Sequence, residues 1–232
     1  TIRNSSAAST SAVSGGGSGI SARTRGTSVV ARAKKGGFMA EIETMMEEEG
    51  VAVSFTLPLA VQKYPHQSLR AKNKVIGKFD SKLAELSAAM FKLMYETDGV
   101  GLAAPQVGVN FRMMVYNELG VQGEGKEVTL VNPKITKFAK QKDLFEEGCL
   151  SFPAIYAEVE RPTGVQIEAQ TLLGTKFKMT LDGFEARVFQ HEYDHLDGVL
   201  FQDRMSGEVL GTIQGKLDAL VENHPEGEPK QL

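Results

Sequence analysis

The chain carries one cysteine, Cys149, in 232 residues. No intrachain disulfide can form, which excludes a disulfide-stapled scaffold and fits a reducing compartment. Long apolar runs are missing too. A membrane-spanning helix needs about 20 apolar residues, and the longest mild candidate, residues 51–60, is interrupted by Ser54, Thr56 and Pro58. Acids are missing from the first 40 residues, where Arg3, Arg23, Arg25, Arg32, Lys34 and Lys35 give +6. With the whole chain at −3, residues 41–232 carry the balance of −9. A body that acidic is a poor candidate for nucleic-acid binding, because phosphate contacts need clustered Lys and Arg.

What is present is ordinary for a globular protein. Hydrophobic residues make up 41% and charged residues 24%, and the length suits one domain plus extensions. Residues 1–37 stand apart, being rich in Ser, Ala, Gly, Thr and Arg, with Gly15, Gly16 and Gly17 adjacent. Such a stretch buries too little apolar surface to offset its ordering entropy. Ser-rich, Arg-containing and acid-free composition is the pattern of an organelle transit peptide. Residues 1–40 are therefore read as a transit or disordered leader, processed between Arg32 and Glu41, with a plain tail as the alternative. Residues 41–232 are read as a single domain.

Within that domain, Leu83, Leu86, Met90, Phe91, Leu93 and Met94 recur at three- and four-residue spacings, predicting an amphipathic helix over 79–97 closed by Asp98 and Gly99. Residues 111–116 and 127–131 read as strands, the second ending in an Asn132-Pro133 turn. Residues 165–171 and 176–181 read as a hairpin about Leu173-Gly174. A second helix is expected over 182–196, with Asp182 as N-cap and Gly198 just past its end. A third starts near Ser206, with Val209, Ile213, Leu217 and Leu220 on one stripe. Strands cluster in mid-chain without βαβ alternation, which argues α+β.

The strongest chemical signal is His191-Glu192-Tyr193-Asp194-His195. At ~100° per residue the two histidines share one helix face, one turn apart, so both imidazoles can meet one metal ion. Glu192 points about a quarter turn away, toward a water at the open position rather than toward the ion. A solvated helix face with incidental histidines is the plain alternative. It is the weaker one, because only four histidines exist and two of them fall at this spacing around a glutamate. Catalytic centres of this kind use three protein ligands and keep a fourth position open. The third ligand is either Cys149, a strong thiolate ligand for zinc or iron(II), or a downstream carboxylate among Asp197, Asp203, Glu208 and Glu222. A lone cysteine is also often a small buried hydrophobe. Upstream, Gly99-Val100-Gly101-Leu102-Ala103-Ala104-Pro105-Gln106 lacks the Lys-Ser/Thr of a phosphate loop. Its small residues permit close backbone approach and Gln106 offers an amide N–H to an oxyanion, although a tight helix-to-strand connection would look the same.

Three segments together, GVGLAAPQ (99–106), EGCLS (147–151) and QHEYDHLDG (190–198), resemble the peptide deformylase family, most closely its organelle-type members. The resemblance extends over about residues 58–205, including Lys63-Tyr64-Pro65 and Leu69-Arg70. It implies removal of the formyl group from N-formylmethionine on new polypeptides. By position, Cys149, His191 and His195 would be metal ligands and Glu192 the acid/base. Gln106 and the Leu150 backbone N–H would hold the formyl oxygen. Iron(II) would be the native ion, with zinc or nickel able to replace it. Gly99, Val100, Gly101, Glu147, Val188 and Phe189 are the substrate-side candidates, with Val100, Val188 and Phe189 forming the methionine slot, although ordinary core packing explains Val188 equally well. Arg161 is expected to pair with Glu147 and hold the Cys149 strand. The implied fold is α+β, with antiparallel or mixed sheets around a central helix carrying the histidine pair and an additional C-terminal helix.

The rival readings are a zinc peptidase with Glu208 or Glu222 as third ligand, a cysteine hydrolase with Cys149 as nucleophile, and a non-enzymatic metal-binding module. A deformylase with such a leader would act on nascent chains at an organellar ribosome, in the plastid stroma first and the mitochondrion second. No membrane association and no sequence-specific nucleic-acid binding are expected, and a homodimer is one option.

Overall fold

The computed structural model describes residues 51–232. The leader read over 1–40 lies outside the described residues.

The first helix, α1 (Ser81–Glu96), starts where expected. The Asp80 carboxylate accepts the Lys82 and Leu83 N–H groups at 3.0 and 3.3 Å, satisfying donors a helix start otherwise leaves unpaired. Leu83, Leu86, Met90 and Met94 form its buried stripe. It stops at Thr97, and Asp98 turns left-handed at φ +55°.

Five strands form one antiparallel sheet: β1 (Gly101–Ala103), β2 (Met113–Tyr116), β3 (Val128–Phe138), β6 (Gly164–Gln170) and β7 (Lys176–Asp182), in the order β1-β2-β3-β6-β7. β2 is buried on both faces, and its period-two alternation divides the core. Met113 and Val115 pack with Leu83, Leu86 and Met90 of α1. Met114 and Tyr116 pack on the opposite side with Ala186, Val188 and Phe189. The expected turn at Asn132-Pro133 is instead a bulge within β3. The β3–β6 register shifts between Val131 and Lys134, and Asn132 sits at φ +49°. Its side chain explains why the strand continues: the amide donates to Ile76 O and Gln170 Oε1, both at 2.7 Å, and accepts the Ile76 N–H.

A second, two-stranded sheet joins β4 (Lys142–Cys149) to β5 (Phe152–Pro162). Glu147 lies opposite Ala157 and Cys149 opposite Phe152, so Cys149 closes the hairpin.

Helix α2 (Gly183–Leu196) carries the histidine pair and is buried on nearly all sides. Asp182 occupies its N-cap position, but its side chain makes no capping hydrogen bond. The other end is held from outside: Asn73 Nδ2 donates to His195 O and Leu196 O at 3.2 and 2.9 Å, and Arg112 Nη1 to Leu196 O at 3.1 Å. The last helix, α3 (Gly207–Glu222), is capped by Ser206, whose hydroxyl accepts the Val209 N–H at 3.3 Å. Ile213 and Leu217 are its buried residues, packed in the cluster of Cys149, Phe152 and Ile155, with Val209 and Leu220 at the margin. The architecture is α+β as expected, with two antiparallel sheets around α2 and an additional C-terminal helix.

Candidate metal centre

One helical turn separates His191 from His195. Their rings lie 5.3 Å apart, centroid to centroid, at 74° to one another. The end of β4 brings Cys149 to meet them, with Sγ 3.3 Å from His195 Nε2. One donor atom from each of the three residues lies within 4.8 Å of the others, and all three side chains are buried. A tetrahedral ion bound at about 2.3 Å to sulfur and about 2.0 Å to nitrogen separates those two atoms by roughly 3.5 Å, so the donor set fits such an ion. Among the described residues, no downstream carboxylate joins this group. His191 is oriented from behind, where Nδ1 donates to Glu147 Oε2 at 2.9 Å. An ionised carboxylate only accepts, so the proton between the two sits on Nδ1, which leaves Nε2 as the nitrogen able to ligate a metal ion. Burial works against ionisation of the Cys149 thiol, and the charge and hydrogen bonds of His195 and His191 work for it.

Glu192 is wholly buried, and neither carboxylate oxygen has a hydrogen-bond partner among the described residues. A buried carboxylate without a partner is costly. Glu192 directly follows His191 on the helix that carries two of the three donors. Gly101 makes room for it, since a methyl at that Cα would lie 2.7 Å from Glu192 Oε1. Gln106 also faces the cluster. Its Oε1 accepts the Ala103 N–H at 2.8 Å, which fixes the amide orientation and turns Nε2 toward Cys149 Sγ at 3.5 Å and Ser151 Oγ at 3.4 Å. The Gln106 amide and the three donor residues therefore meet at one buried place.

The family model for polypeptide deformylase matches residues 58–209. The chain belongs to that family. It is 54% identical over 174 residues to peptide deformylase 1B, chloroplastic/mitochondrial, of Arabidopsis thaliana, covering 75% of this chain and 64% of the relative. It is 50% identical over 202 residues to peptide deformylase 1B, chloroplastic, of Oryza sativa subsp. japonica, covering 84% and 75%. A crystal structure of a plant peptide deformylase superposes with a TM-score of 0.74 at 52% identity, covering 77% of this chain and all of that one. The chain thus spans just under two thirds of the Arabidopsis relative's length.

Behind the deformylase motifs lies a buried ionic network. Arg161 donates to both Glu147 oxygens at 2.7 and 3.0 Å, which is the pairing expected from the sequence, and reaches Asp194 at 2.7 Å. Arg187 adds a contact to Glu147 at 2.9 Å and pairs with Asp143, while Arg204 closes on Asp194 at 2.6 Å. Burial pushes the Glu147 carboxyl up, but the Arg161 charge and the His191 hydrogen bond outweigh it and hold the pKa well below the usual carboxylate range. Both Glu147 oxygens are thus occupied inside the protein. Asp194, Arg187 and Arg204 were not singled out from sequence. For Asp194 the signal was its place inside the histidine motif.

A cavity of about 370 Å³ opens beside the three-donor cluster, with Cys149, Leu150, Phe152, Ile155 and Tyr156 among its walls. Val100, Val188 and Phe189 do not line it. They pack together in the core behind Gly101 and Glu192. Gly99 is buried at the exit from α1, where its N–H donates to Met94 O at 2.8 Å.

Proposed function

We propose that this chain hydrolyses the formyl group from N-formylmethionine at the start of newly made organellar polypeptides. One observation carries the reading. The fixed amide of Gln106 faces the three-donor cluster of Cys149, His191 and His195, and Glu192, next to His191 in the chain, buries a carboxylate with no hydrogen-bond partner among the described residues. Those three residues would hold a divalent ion, iron(II) natively with zinc or nickel as substitutes, which as a Lewis acid polarises a carbonyl and makes water nucleophilic near neutral pH.

The protein's own groups supply the rest. Glu192 takes a proton from the attacking water and returns it to the departing amine as the C–N bond of the formamide breaks, releasing formate and a free N-terminus. The Gln106 side chain and the Leu150 backbone N–H hold the formyl oxygen as it gains charge. Gly99 and Gly101 allow close approach of the substrate backbone. Glu147 acts through His191.

The substrates are nascent chains emerging at an organellar ribosome. Residues 1–40 serve as the leader, directed to the plastid stroma, with the mitochondrion as the alternative. Relatives named chloroplastic support this placement. The test is turnover of a formyl-Met peptide by anaerobically purified protein with its metal content measured alongside. Formate release that chelator abolishes and iron(II) restores is expected. No release from metal-loaded protein refutes the reading. The leader fused to a fluorescent reporter tests the address, and a cytosolic signal contradicts it.

A further inference from the structure

Two loops from distant parts of the chain supply the oxygen-binding pair of the proposed reaction, Gln106 from one and Leu150 from the other. A short segment crosses both. The Gln62 N–H donates to Gln106 O at 2.7 Å and the Tyr64 N–H to Ser151 O at 2.9 Å. Between them, Lys63 Nζ donates to Leu150 O at 2.6 Å. Tyr64 is buried and its ring stacks on Phe152, centroids 4.9 Å apart, which anchors the segment against the exit of β4. Lys63 also lines the cavity beside Cys149, where it is the one Lys, Arg, Asp or Glu among the described wall residues.

We propose that Lys63 is a positioning residue for the oxyanion-holding pair, clamping the Cys149–Leu150 loop against the Gln106 loop. This rests on the deformylase reading above. The physical reason lies in the backbone. The Leu150 C=O and N–H flank one Cα and are related by only two soft dihedrals, so anchoring the carbonyl restricts where the N–H points. A charged donor on a carbonyl makes a short, strong hydrogen bond. The side chain is otherwise exposed, so the clamp sets orientation more than it adds to global stability. An oxyanion donor acts only when preorganised at the place where charge develops. Loosening Leu150 therefore weakens the transition state more than the bound substrate.

The experiment compares wild type with Lys63→Met, Lys63→Gln and Lys63→Arg. Steady-state kinetics on a formyl-Met peptide are combined with amide hydrogen exchange across residues 149–152. Lys63→Met is expected to lower kcat about tenfold, less than the 10²–10³ lost with an oxyanion donor itself, and to leave KM within about twofold. Exchange at Leu150 and Ser151 should quicken, and Lys63→Arg should recover most of both losses. Lys63→Gln, a neutral donor that reaches less far, should fall between them and serves if the methionine variant folds poorly. Unchanged kcat in Lys63→Met overturns the proposal. So does a loss confined to KM, which would put the ammonium on the substrate, or a kcat loss with unaltered exchange. A wild-type chain inactive on formyl-Met peptide would instead remove the deformylase reading itself.

Discussion

Gly101 and Glu192 fit together without space for a single added carbon: a methyl on Gly101 would lie 2.7 Å from Oε1 and 3.0 Å from Cγ of Glu192. The glycine is thus a negative imprint of the carboxylate. Gly101→Ala is expected to push Glu192 aside while leaving Cys149, His191 and His195 in place. Displacing a catalytic group by about 1 Å costs on the order of 100-fold in rate. Turnover should fall by roughly that factor at unchanged metal content. Wild-type turnover in the alanine variant would show that the carboxylate has freedom the packing does not suggest.

Glu192 itself makes an unusual pair of predictions. Its carboxylate is buried with no partner among the described residues, so Glu192→Gln removes a burial cost as well as the proposed proton carrier. The variant should keep its metal, melt no lower than wild type, and lose about 10²–10⁴-fold in kcat, the usual contribution of general acid–base catalysis. Calorimetry and formate release measured on the same preparation check both halves. A clear drop in melting temperature would mean that the carboxylate has stabilising partners in the folded protein.

Arg161 holds two buried carboxylates at once, Glu147 and Asp194. Removing one member of a buried ion cluster typically costs 3–5 kcal/mol, because the remaining charges stay buried. Arg161→Ala should approach that loss in urea denaturation. Metal affinity should fall about 10–100-fold as Glu147, the partner of His191, loses its two-point anchor. Metal titration of the folded fraction separates the two effects, and unchanged affinity would detach the network from the centre.

Much of this was legible beforehand, for identifiable reasons. The stripes of α1 and α3 and the β6–β7 hairpin follow apolar spacing, which survives in a single sequence. The β4–β5 sheet escaped notice because β4 (KDLFEEGC) buries only its last three residues and presents charge along the rest. Its partner gave a usable signal: Ile155, Ala157, Val159 and Arg161 alternate as buried positions with exposed Tyr156, Glu158 and Glu160. Asn132-Pro133 read as a turn because those residues usually are one. The bulge became visible only through the side-chain bonds of Asn132 to Ile76 and Gln170, residues far away in sequence. At the site, helical spacing alone joined the two histidines, whereas Cys149 needed three motifs in order. The pair Glu147 and Arg161 could be anticipated, but the roles of Arg187 and Arg204 depend on how the sheets close.

Asp203 offers a pH test away from the centre. It pairs with Arg70 and accepts the Leu200 N–H at 2.8 Å. Burial raises its carboxyl pKa, but the Arg70 and Leu200 hydrogen bonds outweigh it and leave the folded value below the ordinary one. A depressed folded pKa means that the unfolded chain takes up the proton first as pH falls. The stabilisation is therefore complete above the unfolded value of about 3.9 and disappears as pH drops through the lower folded value. Because the pair is partly exposed, its size is about 1 kcal/mol or less. Asp203→Asn should be less stable than wild type at pH 7, with the gap closing in strong acid. A gap independent of pH would assign the effect to packing.

The carbonyls at the end of α2 have consequences beyond that helix. Final turns ordinarily fray, yet Asn73 and Arg112 grip His195 O and Leu196 O from two separate loops. The second imidazole thus stands on a turn that is buttressed by chain made long before it. A lesion at residue 73 should surface more than a hundred positions away, as a wobbling imidazole and, at the proposed metal centre, a leakier hold on its ion, in a protein whose own motifs are intact.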